Sequence, residues 1–301
     1  MNILNNGRVN MVITNRVIRY AFHKNTSPNS IVTYGDVELP VGTMQNGTIA
    51  DAQAFQRVIR QLVQENRWRR KKIAFCLVDD TVVIRDLSIP GTLSKDEAIG
   101  YIRTQIGHSF YLPFDNPALA IDVLRNDEET TDVRLYAYPK EKIDQFKHVF
   151  SAAGLHPIIA DLTALSVYRY YVQTAETASD HTLLIHWNHD ALFLTAFQHH
   201  KAVFNRHIKI AMDDEPAQET AEGMIDHYMT EINRMVDFYQ YSITKGESRI
   251  EQLIVSGDFP YLSTAKRHLA DRLELPIYEF PDENMSPTYV DLMGLGLKNG
   301  G

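Results

Sequence analysis

Residues 9–22 read VNMVITNRVIRYAF, in which two largely apolar runs flank a polar turn. Short runs of β-branched and aromatic side chains on both sides of such a turn predict a β-hairpin, and residues 31–39 predict a third strand. Residues 182–197, TLLIHWNHDALFLTAF, repeat the hairpin pattern, and residues 201–210 again add a third strand. The recurrence of strand, turn, strand, turn and strand predicts two α/β lobes of similar architecture.

The predicted lobes divide the chain near its middle. We assign residues 1–178 to the first lobe and residues 179–301 to the second. Within the first lobe, residues 82–154 show the order strand, helix, strand, strand and helix, which is typical of a small inserted α+β subdomain. Ser94 begins the first helix of this insert with a capping-box pattern, and the helix is predicted to run to about Tyr111.

Composition limits the class of protein. The chain of 301 residues has a net charge of −8 and a single cysteine, Cys76, which excludes a disulfide framework and a cysteine-based zinc cluster. The negative charge argues against attraction of the whole protein to nucleic acid or an anionic membrane. No run approaches the ~18 apolar residues that span a bilayer, and residues 1–8 lack a signal-peptide pattern. We therefore expect a cytoplasmic protein that reaches a membrane only through a partner.

Three groups of ionisable residues leave alternatives open. A basic cluster at residues 67–72 is either a nucleic-acid patch or a set of cations that complements the dipole of the preceding helix, and we favour the second. The pair Asp79-Asp80 is interpreted as a turn rather than as a metal or acid–base site. Four histidines form the third group, and they either bind a metal ion or make ordinary hydrogen bonds. They are His186, His189, His199 and His200. Hydrogen bonding is favoured, because a spacing of three on a strand directs side chains to opposite faces.

Two lobes that each begin with a hairpin suggest a nucleotide held between phosphate-binding turns. Such turns need small residues, so that backbone N–H groups can approach phosphates, and a carboxylate for the water shell of a metal ion. Neither residues 12–17 nor residues 186–190 contain a glycine, and the first turn also lacks a carboxylate. Only the third loop, Ser256-Gly257-Asp258, keeps one glycine. No P-loop, nucleophile elbow, dinucleotide fingerprint or zinc-binding helix is present either, so no catalytic residue is assigned.

Several local strings, in their order and spacing, resemble one family. They are VELP at 37–40 with NGTIAD at 46–51, RDLSIP at 85–90, YLPF at 111–114, AYPKE at 137–141 with AGL at 153–155, EINR at 231–234 with DFY at 237–239, and VSG at 255–257. Over nearly the whole chain, the sequence resembles the PilM family of actin-like proteins of type IV pilus assembly, which is related in fold to FtsA. The resemblance implies a duplicated, ribonuclease H-like fold of two lobes.

The resemblance also places the nucleotide loops of the family on this chain. The Asp and Gly of the first phosphate turn fall on Val12 and Thr14, and the usual Lys falls on Arg19. Those of the second turn fall on His186 and Asn188. The loops then offer seven candidate nucleotide contacts, which are Thr14, Arg16, Arg19, Asn188, Asp190, Ser256 and Gly257. Loss of the carboxylates implies a pseudo-ATPase without a resident cofactor. The alternative is a genuine ATPase in which Arg19 holds a phosphate and Asp190 a magnesium ion.

A peptide-binding activity is implied in the same way. PilM-like proteins bind the N-terminal cytoplasmic tail of the membrane protein PilN and contact the assembly ATPase or platform protein, in type IV or competence pilus assembly. The groove is expected beside the insert, where an extended peptide can use a strand edge and apolar pockets. The candidate lining residues lie at a predicted helix end and are Phe110, Tyr111, Leu112, Pro113 and Phe114. A filament or dimer formed through a helix is a third alternative.

Overall fold

The computed structural model describes residues 7–27, 30–78, 80–91, 93–127, 129–210, 218–281 and 286–299. The strands are β1 (Arg8–Ile13), β2 (Val17–His23), β3 (Ile31–Glu38), β4 (Met44–Gln45), β5 (Thr48–Ile49), β6 (Lys72–Leu77), β7 (Val83–Pro90), β8 (Pro117–Asn126), β9 (Thr130–Pro139), β10 (His156–Leu162), β11 (His181–Trp187), β12 (Ala191–Gln198), β13 (Lys201–Lys209), β14 (Gln252–Ser256) and β15 (Ile277–Tyr278). The helices are α1 (Ala52–Glu65), α2 (Lys95–Gln105), α3 (Lys140–Ala152), α4 (Thr163–Thr174), α5 (Gln218–Asp237), α6 (Leu262–Leu273) and α7 (Val290–Leu297).

Two five-stranded sheets repeat one topology. The first sheet has the strand order β10-β6-β1-β2-β3, and the second has β15-β14-β11-β12-β13. In each sheet, three strands that follow one another in the chain pair antiparallel. Two later strands then extend the sheet in parallel. The predicted recurrence of a hairpin with a third strand is therefore confirmed, as is the two-lobed α/β fold class with an inserted subdomain.

Helices α1 and α3 cover the outer face of the first sheet. Asp51 begins α1, because its carboxylate accepts the backbone N–H groups of Gln53 and Ala54. The apolar face of α1 then buries Phe55 against Phe146 of α3, with the two ring centroids 5.5 Å apart. Although residues 82–154 form the predicted insert, α3 belongs by its packing to the core of the first sheet.

A second core lies between the two sheets and is formed largely by α4 and α7. It joins Val12 and Ala74 of the first sheet to Leu184 and Ile254 of the second. Helix α7 packs closely on α4, because a Cβ atom added at Gly294 would lie 1.7 Å from the Ser166 carbonyl oxygen. Helix α7 thus packs beside the first sheet, although the predicted division 1–178 and 179–301 places it in the second lobe. Helices α5 and α6 cover the outer face of the second sheet.

The insert has its own three-stranded sheet, in the order β7-β9-β8, with α2 packed on it. The strands β6 and β7, which lie on either side of the Asp79-Asp80 pair, belong to different sheets. Asp79 lies outside the described residues. The capping box of Ser94 is confirmed, whereas the prediction that its helix reaches Tyr111 is wrong, because α2 ends at Gln105. Among the described residues, no helix is both long and apolar enough to cross a membrane.

Candidate functional site

Three loops that the sequence analysis singled out meet at the carboxyl ends of β1, β11 and β14. The side-chain amide of Asn15, after β1, donates to the Asp190 carboxylate at 2.9 Å. The backbone N–H of Asp258, after β14, donates to the side-chain oxygen of Asn188 at 3.4 Å. We call this region the interlobe cleft. The structure brings to it all seven predicted nucleotide-contacting residues, which are Thr14, Arg16, Arg19, Asn188, Asp190, Ser256 and Gly257.

Arg19 closes the interlobe cleft with two carboxylates of the protein itself. Its Nη2 lies 2.6 Å from Asp258, and its Nη1 lies 3.0 Å from Asp291 of α7. The Arg19 side chain is 2% exposed and that of Asp291 is 0% exposed. Burial by itself lowers the pKa of Arg19, but the two carboxylates outweigh it and raise this pKa. Arg19 is therefore charged, and its two terminal nitrogens both bind carboxylates of the protein itself.

Other side chains replace the small and acidic residues of a phosphate site. The Thr14 hydroxyl accepts the backbone N–H of Val17 at 2.9 Å and so closes the hairpin turn. His186 places Nδ1 2.9 Å from the Ser256 hydroxyl. Burial lowers the pKa of His186 to about 4, so the imidazole is neutral at pH 7. The second turn thus presents a neutral ring at the position where the resemblance expects a carboxylate.

The retained glycine of the third loop has a packing role. Gly257 has a φ of +118°, and a Cβ atom there would lie 2.0 Å from the Trp187 carbonyl oxygen. The following Phe259 is 3% exposed, and its ring stacks on Trp187 with centroids 4.7 Å apart. Because an aromatic ring fills this loop, Gly257 is needed for the close approach of β14 to β11, whether or not a nucleotide binds.

The space between the turns after β1 and β11 is too small for a nucleotide in this arrangement. The cavity there measures about 20 Å³, which leaves room for about one water molecule. Cavities that hold ligands of nucleotide size measure roughly 300–1,000 Å³. Asp190, the candidate metal ligand, already accepts a hydrogen bond from Asn15. No three His, Cys, Asp or Glu side chains in the described part of the chain form a metal-binding group. These residues do not fit ATP with its magnesium ion.

A much larger cavity, about 750 Å³, lies between the insert and the first sheet. We call it the insert groove. Two of the strands that line it, β8 and β10, are terminal strands of their sheets within the described residues. The apolar side chains that line it include Tyr136 and Tyr138 of β9, Leu162 of β10, Leu165 and Val172 of α4, and Phe197 of β12. Leu119 and Ile121 of β8 pack instead into the core of the insert. The groove therefore combines two unpaired strand edges with an apolar floor.

Polar groups gather at one part of the groove. Asp161 of β10 is buried and pairs with Arg169 at 3.0 Å and with Lys298 at 2.6 Å. The side chains of Arg169 and Lys298 are 28% and 33% exposed, so both cations border solvent in the groove. On the other side, the hydroxyl of Tyr168 lies 3.1 Å from His200. Burial raises the pKa of Tyr168, so it acts as a neutral hydrogen-bonding group at pH 7.

The five predicted peptide-contacting residues lie elsewhere on the insert. None of Phe110, Tyr111, Leu112, Pro113 and Phe114 lines the insert groove. The chain turns after α2 at Gly107, whose φ is +85°, and forms a bridge from Ile106 to Phe110. Phe110 is consequently buried in the core of the insert, whereas Tyr111 is 76% exposed. Peptide binding by these five residues stays a prediction.

Asp80 and two of the four histidines have structural partners. Asp80 pairs with Lys142 of α3 at 3.0 Å, which ties the connection between β6 and β7 to the first sheet. His199 and His200 each lie within 3.6 Å of the Asp180 carboxylate. The sequence analysis missed Asp291 and Asp161. For Asp291 a signal exists, since it is the lone charge in the apolar run VDLMGLGL at residues 290–297.

The duplicated sheets and the cleft between them define an actin-like fold, and solved structures share it. The PilM–PilN type IV pilus biogenesis complex matches with a TM-score of 0.75 and 16% identity over 97% of this chain and 99% of that chain. The ethanolamine utilization protein EutJ from Carboxydothermus hydrogenoformans matches with a TM-score of 0.54 and 12% identity over 97% and 89%. MreB5 of Spiroplasma citri bound to ADP matches with a TM-score of 0.53 and 8% identity over 96% of this chain and 94% of that chain.

The family is shown by sequence. The family described as type IV pilus assembly protein PilM matches residues 16–212, about two thirds of the chain. No curated protein sequence matches significantly. The chain belongs to the PilM family of type IV pilus assembly proteins, as the resemblance implied.

Proposed function

We propose that this protein is a non-catalytic scaffold of type IV or competence pilus assembly. In this proposal, its insert groove binds the N-terminal cytoplasmic tail of a PilN-like membrane protein. That tail holds the protein at the cytoplasmic face of the membrane, where it also contacts the assembly ATPase or the platform protein. The observation that carries the proposal is the groove of about 750 Å³ between two strand edges.

The chemistry of the groove suits an extended peptide. A peptide can add to an unpaired strand edge through main-chain hydrogen bonds, while alternate side chains enter apolar pockets. Ala160 of β10 and Ala120 of β8 are exposed and line the groove, so small side chains leave both edges accessible. The floor reaches the second sheet, because Tyr168 of α4 stacks on Phe197 of β12 with ring centroids 3.6 Å apart. A bound tail would therefore contact the insert and both sheets.

The interlobe cleft supports the non-catalytic part of the proposal. Phosphoryl transfer depends on charge stabilisation by a metal ion and by groups that cradle the phosphates. Here Arg19 is directed to Asp258 and Asp291, and His186 replaces the second carboxylate. The internal ion pairs thus hold together the loops that a nucleotide would hold in an active relative.

Calorimetry with a synthetic peptide of the PilN-type tail tests the binding site. Val172 is 41% exposed and lines the groove, so Val172→Glu places a charge among apolar pockets at little cost to folding. We expect Kd to rise at least tenfold, about 1.4 kcal/mol. Val32→Glu is the matched control, because Val32 is 53% exposed on β3, outside the groove. Equal affinity of both variants for the peptide would contradict the assignment of the groove.

Thermal unfolding with Mg-ATP tests the pseudo-ATPase. A ligand at a hundred times its Kd stabilises the folded state by ~2.7 kcal/mol. We expect no shift of Tm at millimolar Mg-ATP, because the cavity between the turns after β1 and β11 measures only about 20 Å³ and Arg19 is paired with internal carboxylates. A clear upward shift would instead favour the genuine ATPase, and it would leave the peptide-binding result standing as a separate finding.

A further inference from the structure

Positive charge is concentrated in one short segment of this acidic protein. Residues 52–72 contain seven Lys and Arg and one acid, a net charge of +6, whereas the whole chain is −8. The remainder of the chain therefore carries −14. The segment is α1 and the turn that joins it to β6. Its net charge is opposite in sign to that of the rest of the molecule, so the protein has a strong electrical asymmetry.

Six of the seven cations of this segment are exposed to solvent, and Lys71 is the exception. Arg57 and Arg60 lie on the exposed face of α1, where the other polar side chains are chiefly glutamines. The one acid, Glu65, accepts a hydrogen bond from Gln61 at 2.8 Å. Within the described residues, no ion pair or side-chain hydrogen bond engages the six exposed cations, which are Arg57, Arg60, Arg67, Arg69, Arg70 and Lys72. We call these six the basic face.

The helix dipole does not account for the basic face. The dipole acts within the last turn of a helix, and the last turn of α1 holds no basic residue. Lys71 is a different case, because its ammonium lies over the ring of Phe22 at 5.4 Å and so serves packing. The cluster that the sequence analysis assigned to the dipole therefore extends mostly beyond the reach of that dipole.

Two arginines of the basic face occupy backbone positions that favour glycine. Arg67 has a φ of +57° and Arg70 a φ of +66°. Arg67 follows the C-cap of α1, where its N–H donates to the Gln64 carbonyl and the N–H of Trp68 donates to that of Val63. This is the Schellman arrangement, in which glycine usually stands at the left-handed position. An arginine there costs stability, which indicates that its charge serves another purpose.

The turn that carries these arginines is anchored to the first lobe. Trp68 is 3% exposed and packs edge-on against Tyr20, with ring centroids 5.4 Å apart. The backbone N–H of Arg70 donates to the carbonyl of Gly154 at 2.7 Å, which ties the turn to the end of α3. The cations are thus displayed on a fixed support next to a helix about 21 Å long.

We infer that the basic face docks on an anionic phospholipid membrane. The surface consists of the outer side of a helix and a projecting turn, so it suits a broad surface of repeated phosphates. Guanidinium groups bind phosphate oxygens through paired hydrogen bonds. Each cation near an anionic bilayer contributes roughly 1 kcal/mol. Because the rest of the chain carries −14, the membrane would repel the other faces and fix one orientation. The inference does not rest on the insert groove, which none of the six cations lines.

Sedimentation with lipid vesicles tests this inference on the full chain. We expect binding at low ionic strength to vesicles of equimolar phosphatidylglycerol and phosphatidylcholine, but not to phosphatidylcholine alone. Added salt should weaken the binding, because it screens exposed charges. Arg67→Gly and Arg70→Gly should each reduce the partition coefficient about fivefold, because each removes a cation that contributes roughly 1 kcal/mol. The double variant should reduce it about 25-fold. Both glycines suit left-handed backbone, so the variants should melt at or above the wild-type temperature.

Lys245→Gly is the matched control for a single cation. Lys245 is exposed and has a φ of +53°, so this change also removes one positive charge from a left-handed position, but outside the basic face. It should partition like the wild type. Absence of vesicle binding would overturn the inference, and so would equal partitioning of Lys245→Gly and Arg67→Gly. Tail-peptide affinity should be unchanged in the double variant, which separates a failure here from a failure of the proposed function.

Discussion

The two clefts of this molecule differ in the size of their cavities and in what lies within them. In the interlobe cleft, the cavity between the turns after β1 and β11 measures about 20 Å³, and Arg19 pairs with two internal carboxylates. The insert groove opens about 750 Å³ between two strand edges. The groove falls within the family match at residues 16–212 except for Lys298, whereas Asp258 and Asp291 lie beyond it. The comparison teaches that one fold can leave an apolar groove open beside its insert while internal ion pairs link the loops between its lobes.

The largest expected effect comes from opening the interlobe cleft by Asp291→Ala. This change leaves the buried charge of Arg19 with one partner, and breaking a buried pair costs about 3–5 kcal/mol. Urea denaturation measures the free energy of unfolding. The control is Glu38→Ala, which removes the exposed pair with Arg16 at 3.5 Å and should cost less than about 1 kcal/mol. A comparably small loss for Asp291→Ala would mean that the ion network does not hold the cleft.

The next effect concerns the glycine that the nucleotide loop retains. Gly257→Ala places a Cβ atom against the Trp187 carbonyl and strains a φ of +118°, so we expect a loss of about 3 kcal/mol without any nucleotide. Gly100→Ala, in α2 with no atom nearby, should instead stabilise by about 1 kcal/mol. Thermal unfolding of both variants distinguishes the packing role. An unchanged Tm for Gly257→Ala would contradict that role.

A smaller effect is expected from pH. Burial lowers the pKa of both His186 and His23 to about 4, while the unfolded value is about 6.5. Between these values the unfolded chain binds more protons, so stability is full above pH 6.5 and falls as the pH drops toward 4. Each histidine should remove about 2 kcal/mol between pH 7 and pH 5.

Urea denaturation at several pH values measures this slope. His186→Asn should reduce the slope, because it removes one of the two imidazoles whose pKa lies at about 4. His156→Asn, at an exposed position, serves as the control and should leave the slope as it is. Equal slopes for all three proteins would show that His186 is accessible to protons in the folded state, and hence that the interlobe cleft opens to water.

The smallest effect should come from the hydrogen bonds that cross the cleft. Asn15→Ala removes the bond to Asp190 at 2.9 Å and leaves the N–H of Gly47 without its acceptor. We expect a loss of about 1–2 kcal/mol in urea denaturation. Gln61→Ala, which removes an exposed bond to Glu65, should change stability by less than about 0.5 kcal/mol. An Asn15→Ala variant as stable as the control would mean that these bonds are exchanged for water at no cost.

Much of the fold could be predicted because it depends on local periodicity. The apolar runs on both sides of a polar turn in residues 9–22 and 182–197 predicted both hairpins, and Ser94 predicted the start of α2. The end of α2 was not predictable in this way. Apolar side chains continue past Gln105 with helical periodicity. The helix ends there because the chain turns at Gly107 and Phe110 is buried in the core of the insert.

The sequence by itself determined the repeated strand order, the separation of charge and the absence of glycine from two phosphate turns. Tertiary structure alone decided what occupies the interlobe cleft, because Arg19 and Asp291 are 272 positions apart. It also decided where the large groove lies, since the insert groove forms only when β8 and β10 come to border one space. Local patterns report on neighbours along the chain, whereas ion pairs and cavities depend on how distant elements pack.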